Sequence, residues 1–180
     1  MKKLKIQSIE NLYQDKYIEL KKSIYLDKSL NQNQWVYIER TNHTKAAVVI
    51  PLLKETGEVI LIKQYRVPLN QYVIEFPAGL IEGNEAPGFA GLRELEEETG
   101  YTGKVVSVSP SLSTSAGLTS ENIYLVIVEV SPDIKEQMLE DSEDIEVLKI
   151  KISEAFPLFE KWASQGFSID SKVWAFFSMR

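Results

Sequence analysis

A chain of 180 residues, 44% hydrophobic and 26% charged, is long enough for one well-cored domain, or one domain with a small appendage. Its formal charge of −6 argues against general nucleic-acid binding, because phosphate backbones reward a positive surface. With no cysteine present, disulfides, thiolate catalysis and zinc–thiolate sites are excluded as well.

The first residues, Met1-Lys2-Lys3-Leu4-Lys5, are basic, but Ile9-Glu10-Asn11 follows where a signal peptide would carry its apolar core. The longest apolar runs, such as Val59–Ile62, are too short to span a bilayer. The expectation is a cytoplasmic protein without membrane contact. Ile18, Leu20, Ile24 and Leu26 fall at period two and predict a strand with one wet face. Asp27 to Gln34 is polar and reads as a turn, after which Trp35 to Ile38 begins a second strand. Residues 1–42 are therefore expected to form a small antiparallel sheet, too small to stand alone and needing the main domain, 43–180, or a second subunit as support.

Ala46–Leu53 and Val59–Tyr65 read as strands joined by a hairpin with Gly57 in its turn, and Tyr72–Phe76 as a short strand closed by Pro77. A helix is predicted from Pro87, whose fixed φ suits a first turn, to Thr99, with Gly100 as the breaker. Lys104–Val108, Ile123–Val130 and Ile145–Ile152 follow as strands. Ser153–Ser164 and Ser171–Met179 read as amphipathic helices. The pattern is mixed α and β, a sheet core with helices outside it.

Within the predicted helix, Glu94 lies three residues before Glu97 and four before Glu98, so these carboxylates share one face and repel unless something neutralises them. A solvated helix face would present such a run. So would a site for hard divalent cations, which bind carboxylate oxygens and bridge them to phosphates. Arg93, one turn before Glu97, is placed to hold it by a charge-assisted hydrogen bond, while Leu92 and Leu95 lie on the anchoring side.

The stretch from Gly79 to Tyr101 resembles the box of the Nudix hydrolases, Gly-x5-Glu-x7-Arg-Glu-U-x-Glu-Glu-x-Gly-U, in which U is a bulky apolar residue. Gly79, Glu85, Arg93, Glu94, Leu95, Glu97, Glu98 and Gly100 all stand in register. Tyr101 departs softly, aromatic where an aliphatic residue is more usual. The resemblance implies an α/β/α sandwich carrying a Mg²⁺ site, with Mn²⁺ as a substitute. It makes Glu94 and Glu98 the principal ligands, Glu97 the sharer of a second ion, Glu85 an accessory ligand, and the Ala78 carbonyl a further one. Arg93 keeps its orienting role.

Gln64-Tyr65-Arg66, Glu75-Phe76-Pro77-Ala78-Gly79 and Ser115-Ala116-Gly117-Leu118-Thr119-Ser120-Glu121 resemble the ADP-ribose pyrophosphatase branch, although Ala116 stands where that branch usually has proline. Asp141-Ser142-Glu143-Asp144-Ile145 is similar to its acidic loop. This implies Glu143 as the catalytic base or an extra metal ligand, with Asp141 as the alternative base. Arg66 is either a phosphate clamp or a strand-end surface arginine, and Glu121 either supports a ligand or caps a strand. The resemblance also implies a homodimer that exchanges its N-terminal sheets, with Tyr17 and Trp35 stacking on the nucleobase; plain packing is the other reading of Trp35. The implied reaction is hydrolysis of ADP-ribose to AMP and ribose 5-phosphate. Its alternatives are a broader nucleoside diphosphate sugar hydrolase acting on GDP-mannose or ADP-glucose, and a module that senses ADP-ribose without cleaving it.

Overall fold

The computed structural model of the chain describes residues 4–179; the basic start at residues 1–3 lies outside the described residues. The chain divides into two compact units, Met1–Lys45 with Ser111–Ile123, and Ala46–Pro110 with Tyr124–Arg180.

The first unit holds an antiparallel sheet of β1 (Lys5–Gln14), β2 (Ile18–Leu26) and β3 (Gln32–Arg40), in that order. β2 has the predicted bounds. β3 starts earlier than Trp35 because Asp27 closes the turn by itself: its Oδ1 accepts from the N–H groups of Ser29 and Asn31 at 2.8 and 2.9 Å. The polar Gln32–Gln34 are thereby left to pair with β2. β1 is a strand that periodicity did not announce. All ten of its residues are exposed, and its pairing with β2 shifts register between Ile6 and Ser8 and again between Asn11 and Tyr13. Each irregularity resets the alternation of faces, so no period-two pattern survives in the sequence.

Ser111–Ile123 joins this unit through backbone bonds from Ile38 N–H to the Leu118 carbonyl (2.9 Å) and from Ser120 N–H to the Ile38 carbonyl (3.0 Å).

In chain order the remaining elements are β4 (Ala46–Leu53), β5 (Glu58–Arg66), β6 (Gln71–Glu75), β7 (Ala78–Leu80), α1 (Pro87–Thr99), β8 (Tyr101–Val108), β9 (Leu112–Ser113), β10 (Asn122–Ile134), β11 (Ile145–Lys151), α2 (Ala155–Ser164), β12 (Ser168–Ile169) and α3 (Ser171–Ser178). β9 belongs to the first unit, where it pairs with the start of β10. In the second unit the sheet runs β12-β6-β5-β4-β10-β8, with β11 beside β5 and β7 beside β4. The β12–β6 pairing is parallel, whereas β5 pairs antiparallel with β4, β6 and β11, so the sheet is mixed.

α1 has its predicted bounds. Pro87 occupies the first turn, and Gly100 ends the helix with φ +72, where its N–H reaches the Glu96 carbonyl. Leu95 and Ala90 of α1 are fully buried against Ala47, Val49, Ile60, Val126 and Val128. On the opposite side Phe76 packs edge-on to Phe176 of α3, which continues into Phe177 and Phe159 of α2. Helix, sheet and helix form three layers. The short strands β7, β9 and β12 are two or three residues long and leave no periodic trace. Among the described residues no helix is long and apolar enough to cross a membrane.

Candidate active site

The polar cluster of the second unit is built where β7 meets α1. Arg93 is its hub. Nη1 donates to Glu94 Oε1 (2.8 Å) and Glu97 Oε2 (2.9 Å), Nη2 to the Leu80 carbonyl (3.0 Å) and Glu85 Oε2 (3.2 Å), and Nε to Glu85 Oε1 (3.3 Å). One guanidinium fork thus ties the loop before the helix, the helix itself and the end of β7 together. Glu98 lies deeper, 3% exposed, and its Oε2 accepts from the Ala78 backbone N–H at 2.9 Å.

Gly79 explains itself sterically. A Cβ there would lie 2.0 Å from the Cδ and Oε1 of Glu94, so the carboxylate occupies the space that a side chain would need.

Burial pushes the Glu98 carboxyl up to about 8; the charges of Glu94 and Glu143 push the same way, while the Ala78 N–H and Arg66 partly offset them. Glu94 is raised first by burial, with Arg93 opposing and Glu97 and Glu143 adding to the rise. Glu85 is lowered, chiefly by its bond to Arg93. Glu85, Glu94 and Glu97 share the one guanidinium of Arg93, with Glu98 near enough to Glu94 to feel its charge, so the carboxylates outnumber the arginine. Hard oxygen donors in such excess fit a divalent cation by type and by charge. Among the described residues, however, no three acidic or histidine side chains stand as a ready-formed cage, because Arg93 threads between the carboxylates.

Glu143 is half-buried in the loop before β11, and its Oε2 accepts from the Glu140 N–H at 2.9 Å. Asp141, in the same loop, is exposed. Arg66 ends β5 and donates from Nε to Glu75 Oε1 at 2.7 Å, and it lies near enough to Glu98 for their charges to interact. Glu75 is itself raised by burial against the opposing Arg66. The pairing was not foreseen, because Glu75 sits in an apolar strand with no spacing relation to Arg66 until β5 and β6 are laid side by side.

The other three residues belong to the first unit. Trp35 is 52% exposed, donates from Nε1 to the Gly117 carbonyl (3.0 Å), and lines a cavity of about 470 Å³ with Tyr25, Tyr37 and Ile6. Tyr17 is exposed, is not among the lining residues, and carries Lys16 over its ring. Glu121 Oε1 accepts from Arg40 Nε, and Oε2 faces Thr114 Oγ1 at 3.4 Å.

Residues 42–168 match the model of the NUDIX domain. The chain belongs to the NUDIX family. Over 171 residues it is 34% identical to an ADP-ribose pyrophosphatase of Saccharomyces cerevisiae, covering 88% of this chain and 74% of the yeast protein. It is 38% identical over 140 residues to a mouse ADP-sugar pyrophosphatase, covering 73% of this chain but 64% of that relative, less than two thirds of its length. A solved structure described as an ADP compounds hydrolase superposes with a TM-score of 0.72, covering 89% of this chain and 84% of the other at 21% identity, a likeness of fold. The protein is a Nudix hydrolase related to ADP-ribose pyrophosphatases.

Proposed function

We propose that this Nudix hydrolase cleaves the pyrophosphate bond of a nucleoside diphosphate sugar in the presence of Mg²⁺, with Mn²⁺ as a substitute, and that ADP-ribose is its substrate, yielding AMP and ribose 5-phosphate. The observation that carries the reading is the Arg93-centred network, in which Glu85, Glu94 and Glu97 converge on one guanidinium beside the buried Glu98. The names of the yeast and mouse relatives support the choice of nucleotide sugar.

Glu94 and Glu98 would hold the metal, with Glu97, Glu85 and the Ala78 carbonyl completing its surroundings. Bound there, the metal would neutralise phosphate charge and favour ionisation of water. The chain's own groups do the rest. Arg66 grips a phosphate oxygen. A carboxylate of the acidic loop, Glu143 or else Asp141, takes a proton from the attacking water as its oxygen bonds to one phosphorus. The bridging P–O bond then breaks, with its electron pair on the departing phosphate. Glu121 supports the substrate side, and Tyr17 and Trp35 stack on the base. The reading includes a cytoplasmic homodimer in which the N-terminal sheet, 1–42, is exchanged, and it needs no nucleic acid or membrane.

A broader preference among nucleotide sugars is favoured by one observation: the mouse relative carries the wider name of ADP-sugar pyrophosphatase. The experiment is product analysis with Mg²⁺ on ADP-ribose, ADP-glucose and GDP-mannose. Preferred release of AMP from ADP-ribose is expected. Comparable rates across the panel would support the broader enzyme, and no turnover would leave only a sensing module.

A further inference from the structure

The stretch that carries the acidic loop, residues 135–144, holds no helix or strand, and it is tied down toward both ends. Near its start Met138 donates its N–H to the Glu97 carbonyl of α1 at 2.8 Å. At its end Ile145 opens β11 opposite Gln64 of β5, and the Tyr65 N–H carries that ladder one residue further by donating to the Asp144 carbonyl at 3.3 Å. Tyr65 is paired in turn with Tyr72 of β6. Tyr72, Tyr65 and Asp144 thus form one row across the sheet, and side chains in such a row share a face.

The Tyr72 hydroxyl uses that row. It donates to Asp144 Oδ2 at 2.5 Å, while the Tyr65 hydroxyl turns away to Asn70 Oδ1 at 2.7 Å. Three neighbours confine the Tyr72 ring. Tyr65 and Phe167 stand edge-on to it at 5.4 and 6.0 Å, and the Lys63 ammonium lies over its face at 5.1 Å, held there by its ion pair with Glu146 of β11. A ring so confined aims its hydroxyl at one place. Asp144 is exposed, so this bond adds little to the stability of the fold. What it fixes is direction. Side chains alternate along a chain in ladder register, so drawing Asp144 toward Tyr72 leaves Glu143 to the opposite face, where Ile60 of β5 packs with Leu95 of α1. Glu143 lies near enough to Glu94 and Glu98 for its charge to act on both.

We propose that Tyr72 is a positioning residue for the hydrolysis proposed above, on which this inference rests: its hydroxyl seats Asp144, and through Asp144 it turns the Glu143 carboxylate toward Glu94 and Glu98. Without the hydroxyl, the end of the loop keeps only the longer backbone bond from Tyr65, and Glu143 spends part of its time turned elsewhere. The cost falls on the transfer of a proton from water to Glu143, which needs the carboxylate within hydrogen-bond reach, and not on the binding of the nucleotide sugar.

The test compares Tyr72→Phe, Asp144→Ala, the double variant and Asp144→Asn with wild type, in steady-state kinetics with Mg²⁺ on ADP-ribose and in thermal midpoint. Tyr72→Phe and Asp144→Ala should each lower kcat by about tenfold with KM nearly unchanged, since slight misplacement of a reacting group costs such factors. The double variant should be no slower than the slower single one, because both changes break the same bond. Asp144→Asn, whose amide oxygen still accepts from the Tyr72 hydroxyl, should recover most of the kcat lost in Asp144→Ala. Midpoints should stay within about 3 °C of wild type. An unaltered kcat in Tyr72→Phe beside an active wild type would overturn this inference alone. So would losses that multiply in the double variant, an Asp144→Asn no faster than Asp144→Ala, a raised KM at constant kcat, or a fall in midpoint that tracks the loss of activity. An inert wild type would overturn the proposed function and this inference with it.

Discussion

The carboxylate of Glu98 is fixed by the backbone of Ala78, whose N–H donates to Oε2 at 2.9 Å. The bond joins the last turns of α1 to the first residue of β7.

Glu98→Gln keeps the shape and removes the charge. Turnover should fall by about 100-fold or more, since a metal-ion ligand and its electrostatic contribution are lost together. The fold should survive, because an amide oxygen still accepts from Ala78. Steady-state assays with circular dichroism decide it; wild-type turnover in the variant would remove the box from the chemistry.

Proton and metal compete for the same carboxylates. Glu98 titrates at about 8 in the folded chain against an ordinary 4.5, so between these values the folded state holds a proton that the unfolded chain has released. The metal-free protein should therefore lose stability as pH rises across that window. Added Mg²⁺ should raise the thermal midpoint more at about pH 8 than at about pH 5.5, where a proton already neutralises the site. Equal shifts at the two values would count against Glu98 as a ligand.

Gly79→Ala places a Cβ on the Glu94 carboxylate, the far end of a flexible side chain. The carboxylate should swing aside while the backbone stays, so the thermal midpoint should change little. Turnover and Mg²⁺ affinity should each drop by about tenfold or more, as displaced ligands cost such factors. A large loss of stability with unchanged metal affinity would mean that Gly79 serves the backbone.

Trp35→Ala tests the stacking role. If the indole face binds a nucleobase, KM should rise by about tenfold, within the range for loss of one stacked base, and kcat should stay close to wild type. An unchanged KM returns Trp35 to packing.

The sequence was most informative where a single element carried the whole signal. α1 could be bounded to the residue because Pro87 and the Leu92 and Leu95 anchor positions lie within it and Gly100 stands directly at its end. The contact of Arg93 with Glu97 followed from helical spacing alone. What stayed illegible depended on pairing between strands. Glu75 meets Arg66 only across β5 and β6. β1 was hidden by its irregular register, and β7 by its length.

The far end of α1 is closed by residues with no regular structure. Lys135 donates its N–H to the Gly100 carbonyl and Met138 to that of Glu97, both at 2.8 Å, while Gln137 Nε2 reaches the Glu98 carbonyl at 2.5 Å. Those are the carbonyls a helix leaves open at its C-terminus. On the clock of amide hydrogen exchange, the amides of Lys135 and Met138 should therefore keep time with the helix and not with the loop that surrounds them. The carboxylate row would then be held against fraying by a coil, and loosening that coil at Gln137, 39 residues from Glu98, would soften the site without touching Glu94, Glu97 or Glu98.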